Sequence, residues 1–189
     1  MYHEENEESS VSTKMRHSKG FCIIMNNQEK NTYVKEQLTQ ALIQLLKEKN
    51  IDDISVSELT QRAQVGRASF YRNYQNLSDI LYQYDRLLVN TWGEKYDSDP
   101  TSDITNLFGR LFQHYKDHSD FYLLLYRNEL TEAMLNTIQE RCGLQPELDN
   151  QEAYEKAFWA YGIYGWLLEW MGRGMMESAD DINALLQNQ

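Results

Sequence analysis

Apolar residues recur every three or four positions along the chain from Val34 onward, the period of amphipathic helices rather than of strands. Val34, Leu38, Ala41, Leu42 and Leu45 mark one face of a helix over about Asn31 to Lys49, with Asn50 placed to take the left-handed residue that ends it. A second helix is announced by side-chain chemistry. Ser55 can accept from the Glu58 backbone N–H while Glu58 reaches back to the Ser55 N–H, and Ile54 can pack on Leu59, so the helix begins at about Val56. Its inner face is Val56, Leu59 and Ala63, and it ends in Gln64-Val65-Gly66, where Gly66 lets the backbone turn sharply. Leu38, Leu42, Leu45, Ile54, Leu59, Val65 and Phe70 then enclose one small core of three helices running to about Tyr74.

Helix follows helix after that. Ser78 is the expected cap of a long helix reaching about Tyr96, carrying Ile80, Leu81, Tyr84, Leu87, Leu88 and Trp92 and broken by Asp97-Ser98-Asp99-Pro100. The pattern continues with about Asp103 to His118, an apolar Phe121 to Tyr126, and about Leu130 to Cys142, stopped by Gly143 and Pro146. The stretch from Glu152 to Gly174 is apolar on more than one side. Phe158, Tyr161, Gly165, Leu168 and Gly172 form one stripe; Trp159, Gly162, Trp166 and Trp170 form another. A helix with two apolar faces usually lies between its own domain and a partner chain. Ser178 caps a last helix with Ile182, Leu185 and Leu186. The expectation is an all-α protein: residues 1–27 a disordered tail, residues 28–77 a three-helix domain with a helix-turn-helix, and residues 78–189 a larger helical domain.

The short helix after the turn carries the chemistry. On a wheel of about 100° per residue, Arg67, Ala68, Tyr71 and Arg72 share one side, Gly66, Phe70 and Asn73 lie opposite, and Ser69 sits at the margin. That outer face suits a major groove, which admits a helix only where the nearest residues are small. Arginine reads guanine edges bidentately there, and hydroxyls reach phosphate oxygens. Spacing alone also fits a helical hairpin with solvated arginines. The run from Ala63 to Tyr74, AQVGRASFYRNY, followed by Asn76, Asp79, Ile80 and Leu81, resembles the DNA-binding signature of TetR-type (TetR/AcrR) transcriptional regulators, over roughly Val34 to Leu81.

The resemblance implies that this helix enters the major groove of double-stranded DNA. Arg67 and Ala68 would face bases, Ser69, Tyr71 and Asn73 would meet backbone or base edges, Arg72 shares the outer face, and Ser55 stands where the family often has a phosphate-contacting threonine. Three departures stand out. Gln64 occupies the place of the usual turn glycine, Gly66 that of a capping serine, and Leu77 that of a lysine touching the DNA backbone. In the family the last two helices commonly pair across a homodimer, which here implies Phe158, Tyr161, Gly165, Leu168, Ile182, Leu185 and Leu186. The run Trp170-Met171-Gly172-Arg173-Gly174 also looks like a subgroup that includes activators of dihydroxyacetone kinase operons. A small-molecule effector would lie among Tyr82, Tyr122, Tyr126, Trp159 and Trp166, with Met134 and Met171, although each of these also fits a plain core aromatic or apolar position.

Charge sharpens the division of labour. The net charge is −11, yet residues 27–79 carry seven lysines and arginines against seven acids, while residues 80–189 carry eight against eighteen. The N-terminal domain therefore escapes the acidity of the rest, as a DNA-binding face requires. The early acids, HEENEESS, favour a solvated tail over a minor-groove arm of Lys14, Arg16 and Lys19, and Met25 offers a natural start of its own. No apolar run approaches the ~18 residues of a membrane span. Cys22 and Cys142 lack metal-ligand or disulfide spacing, which points to a reducing, cytoplasmic setting. His114 and His118 lack a third ligand and read as a solvated helix end; no metal or cofactor is expected. No nucleotide-binding, hydrolase-elbow or zinc-protease motif is present, so an enzyme is not expected. The reading is a dimeric, ligand-responsive regulator on a palindromic operator, a repressor in preference to an activator. The alternative is a regulator or co-activator of the same fold controlled by a partner protein.

Overall fold

The computed structural model describes residues 27–187, and the expectations for the N-terminal tail and Cys22 lie outside them. The described residues form nine α-helices and no strand: α1 Asn27–Leu46, α2 Val56–Arg62, α3 Arg67–Asn73, α4 Leu77–Ser98, α5 Leu107–Asp117, α6 Ser119–Arg127, α7 Glu132–Arg141, α8 Asn150–Gly172 and α9 Ala179–Gln187. The first three helices and the start of α4 enclose a small core. Leu38, Leu42, Leu45, Leu59, Phe70 and Ile80 are each fully buried there.

Local chemistry explains where these helices begin. Ser55 Oγ accepts from the Glu58 N–H at 3.1 Å, the expected cap, a contact typically worth about 1 kcal/mol. The reciprocal half of the box is replaced: the Glu58 carboxylate takes Lys49 Nζ at 2.7 Å, binding α2 to the end of α1. A second tie, Arg62 to both carboxylate oxygens of Glu48 at 3.0 and 3.1 Å, acts alongside it. The α4 cap is Asn76 and not Ser78, since Asn76 Oδ1 accepts from the Asp79 N–H at 2.9 Å. Asp149 caps α8 in the same way, and Ser178 with Asp181 caps α9 reciprocally.

Two further expectations are corrected. Asn50 has φ −68 and is not left-handed; α1 closes instead through turn bonds from Glu48 and Lys49 to the Leu45 carbonyl. In the helix-turn-helix, the left-handed residue is Gln64 at φ 54, while Gly66 is extended at φ −73 and begins α3 with no side-chain cap bond. The turn geometry thus falls where the family has glycine, and here a glutamine bears it.

The second unit is built on α4, whose later half packs against α7, while α8 covers α6 and α7 and α9 lies along α5. Loop residues 99–106 are fixed by Arg110, whose Nη1 meets Asp99 at 2.6 Å, and by Asp103, which accepts from the Thr105 and Asn106 N–H groups. This network replaces the first turn expected of α5.

A left-handed non-glycine residue costs about 1–2 kcal/mol, partly offset because glycine is more disordered when unfolded. Gln64→Gly is therefore expected to raise the stability of the full chain by about 0.5–1 kcal/mol, measured as a higher midpoint in urea unfolding.

Candidate nucleic-acid interface and effector cavity

The outer face of α3 is assembled from Arg67, Ala68, Tyr71 and Arg72, which make no ion pair or side-chain hydrogen bond among the described residues. Phe70 alone of its side chains is fully buried, and its ring meets Tyr71 edge-on at 5.1 Å and Tyr74 at 6.1 Å. With Phe70 inward, Arg67, Ala68, Tyr71 and Arg72 point to solvent, Tyr71 at 61% exposure. Arg62 is spent on Glu48, whereas Arg67 and Arg72 have no carboxylate partner among the described residues. Ser69 is half-buried at the margin. Asn73 is also half-buried, and its Nδ2 donates to the Ser69 carbonyl at 2.8 Å. Ser55 lies exposed at the start of α2, holding its cap.

A polar relay fastens the end of α3 to the neighbouring helices. Gln83 of α4 donates from Nε2 to the Asn73 carbonyl at 3.2 Å and accepts Lys35 Nζ of α1 on Oε1 at 3.0 Å. The Lys35 ammonium also lies 5.8 Å from the Tyr74 ring centre. One glutamine thereby sets the angle between α1, α3 and α4.

The second site is a cavity of about 610 Å³ walled by α4, α5, α7 and α8. Val89, Trp92, Leu107, Phe108, Leu111 and Ile163 give it an apolar interior, and Asp97, Arg141 and Lys156 lie on its polar side. Trp159 stacks on Phe108 at 5.9 Å and forms part of the wall. The other expected effector residues do not gather here. Tyr122 is fully buried in the core, Tyr82 donates to the Glu140 carboxylate on the α4–α7 surface, Tyr126 lies against Gly172, and Trp166 is half-buried on α8. Met134 and Met171 are core residues. Trp92, Phe108, Arg141 and Lys156 were not singled out from the sequence. Gly93, inside the α4 pattern, was the available signal of a close approach.

Behind the cavity lies a buried polar cluster. Asp85 is fully buried and its oxygens lack a well-formed hydrogen bond among the described residues, with the Thr137 and Tyr122 hydroxyls close enough to steady its charge. Tyr122 Oη lies 3.4 Å from His114 Nε2. His114, expected as part of a solvated helix end, is only 7% exposed because α5 turns it inward between Trp92 and Tyr115. Burial pushes the Asp85 carboxyl up from 3.8 to about 6 and, aided by nearby His118, holds the His114 imidazole down from 6.5 to about 4.

On α8, Tyr154, Phe158 and Tyr161 are exposed at 77, 72 and 53%, and a Cβ added at Gly162 or Gly165 would meet nothing within 4 Å. Leu185 is exposed on α9, Leu168 and Leu186 are half-buried, and Ile182 is buried in the chain's own core where α9 packs on α5.

Residues 102–188 match the family of TetR-type transcriptional regulator C-terminal regions. The match covers slightly less than half of the chain. The fold is shared with solved structures. Lin0861 from Listeria innocua matches at TM-score 0.72 and 15% identity, covering 87% of this chain and 92% of that one. The fatty acid degradation regulator FadR from Bacillus halodurans matches at 0.52 and 16%, covering 80% and 93%. The transcriptional regulator FadR from Bacillus subtilis, solved with stearoyl-CoA, matches at 0.50 and 15%, covering 80% and 96%. No curated protein matches the chain by sequence. The matched family and the FadR neighbours are transcriptional regulators and not enzymes. The likeness to dihydroxyacetone kinase operon activators finds no counterpart among these matches. No helix among the described residues is long and apolar enough to cross a membrane.

Asp85 and His114 pull stability in opposite directions with pH. Between 3.8 and about 6 the native state holds the Asp85 proton more tightly than the unfolded chain, so that group lowers stability as pH rises. Between about 4 and 6.5 the unfolded chain protonates His114 more readily, so stability rises with pH. Asp85→Asn should leave a stability that climbs between pH 4.5 and 6.5, and His114→Gln one that falls, each by roughly 2 kcal/mol. Urea unfolding at the two pH values checks this; slopes equal to the wild type in both variants contradict it.

Proposed function

We propose that the chain is a ligand-responsive, DNA-binding transcriptional regulator that acts as a homodimer on a palindromic operator, as a repressor, in the cytoplasm. The observation that carries this reading is the outer face of α3: two arginines without carboxylate partners, an exposed tyrosine and a small alanine, held rigidly over a buried Phe70. Arg67 and Arg72 would read base edges or phosphates, Ala68 would allow close approach, and Ser69, Tyr71, Asn73 and Ser55 would hydrogen-bond the backbone. The C-terminal match to regulator regions supports the same assignment.

One α3 spans only a few base pairs, so a two-fold pair of chains is needed to multiply specificity. The exposed stripe of Tyr154, Phe158, Tyr161 and Gly165 on α8, together with the exposed Leu185 of α9, supports that pairing. Its open glycines let a second helix approach closely.

Control would pass through α4. Val89 and Trp92 line the cavity, while Gln83, less than two turns before Val89, holds α3. A ligand that fits the cavity in only one tilt of α4 would change the spacing of the two reading heads.

Titrating the full chain into its own upstream intergenic DNA tests the reading. Wild type should bind with an affinity that falls steeply between 50 and 200 mM salt. Arg67→Ala and Tyr71→Ala should weaken binding at least tenfold while the dimer, measured by light scattering, survives. Equal binding by both variants favours control through a partner protein instead.

A further inference from the structure

We propose that the cavity between α4, α5, α7 and α8 takes a carboxylate-bearing amphiphile, its apolar body among the aromatic walls and its carboxylate held at the mouth by Arg141 and Lys156. The inference rests on reading this domain as the sensor of the regulator.

The mouth is a constructed feature of the fold. Gly93 sits buried in the middle of α4, where glycine costs about 1 kcal/mol relative to alanine. A Cβ there would come within 2.6 Å of Arg141 Nη2 and 2.9 Å of Cζ, so the missing side chain is what lets the guanidinium of α7 lie across α4. Asp97, one turn further along α4, meets Arg141 Nη2 at 3.3 Å. That contact is long beside the 2.6 Å of Arg110 to Asp99, and the Asp97 side chain is 64% exposed, so it orients the guanidinium without saturating its five donors. Lys156 reaches the same rim from α8, its ammonium beside Gly143 and without an ion pair among the described residues.

The charge balance of the wall decides the class of ligand. Asp97 is its one acid against Arg141 and Lys156, in a domain where acids outnumber bases eighteen to eight. Two cations at the entrance of an apolar chamber in an acidic domain select an anion with a hydrophobic body. The planar fork of Arg141 matches two carboxylate oxygens. A neutral ligand would leave both cations unused, and a cationic one would meet them directly.

The test uses the full-length chain and three probes that share one tail: decanoate, decanol and decyltrimethylammonium. Trp92 and Trp159 both line the cavity, so tryptophan emission with calorimetry reports binding. Decanoate should bind saturably and at least tenfold more tightly than the other two. Arg141→Gln and Lys156→Gln should each weaken decanoate about tenfold while shifting decanol less than twofold. Lys156→Gln alters a partly exposed side chain and keeps the test decisive if Arg141→Gln folds poorly. Absence of saturable binding, equal affinity for decanol or the ammonium probe, or decanoate affinity unchanged in both variants overturns the proposal. Decanoate binding that follows this pattern but leaves DNA affinity unchanged overturns the sensor reading and keeps the ligand class. DNA binding that depends on Arg67 with no decanoate preference does the reverse.

Discussion

One helix runs through both halves of a single continuous hydrophobic core, and most of the molecule follows from that constraint. The first turns of α4 bury Ile80 and Leu81 with the three N-terminal helices, and its later turns bury Val89 and Gly93 against α5 and α7. A helix of 22 residues is about 33 Å long and does not bend without an identifiable cause. Whatever tilts one end must therefore displace the other. Gln83 converts that rigidity into position, because the carbonyl it holds ends α3.

The two units differ in how they handle polar atoms. In the N-terminal unit, Lys49, Arg62 and Gln83 each have a satisfied partner at the surface, a design that fixes angles between short helices with little buried charge. The C-terminal unit instead buries Asp85, His114, Tyr115 and Tyr122 together among α4, α5 and α6. Buried polar groups without full pairing are costly, and the structure tolerates them where the protein also keeps a chamber. The first unit is built to be rigid, the second to be responsive.

Much of this was legible in the chain. The 3.6-residue period placed every helix, since each must hide one face, and Ser55 and Ser178 announced their helices through side-chain caps that need no tertiary context. The face of α3 followed from the same wheel once Phe70 was assigned inward. Other features depended on distant partners. Glu58 was drawn away from its own cap by Lys49, Asn76 outcompeted Ser78, and the loop before α5 is organised by Arg110 from the next helix. The cavity was the least readable part, because its walls come from four helices and aromatic residues look alike whether they fill a core or line a space. Tyr122 and Trp159 illustrate this: one is sealed in the core, the other stacks at the opening.

The start of α3 has a consequence for how the reading face keeps its shape. A helix of seven residues that begins at a glycine, after a glutamine in the left-handed region, is too short to persist by itself. Its order comes from Phe70, its one fully buried side chain, and from the Gln83 bond that holds the Asn73 carbonyl. Cooling weakens that anchorage as well as heating, because apolar contacts lose strength in the cold. The exposed face of α3 thus depends on one apolar contact together with the Gln83 bond to the Asn73 carbonyl, and the apolar part of that hold weakens at both ends of the temperature range.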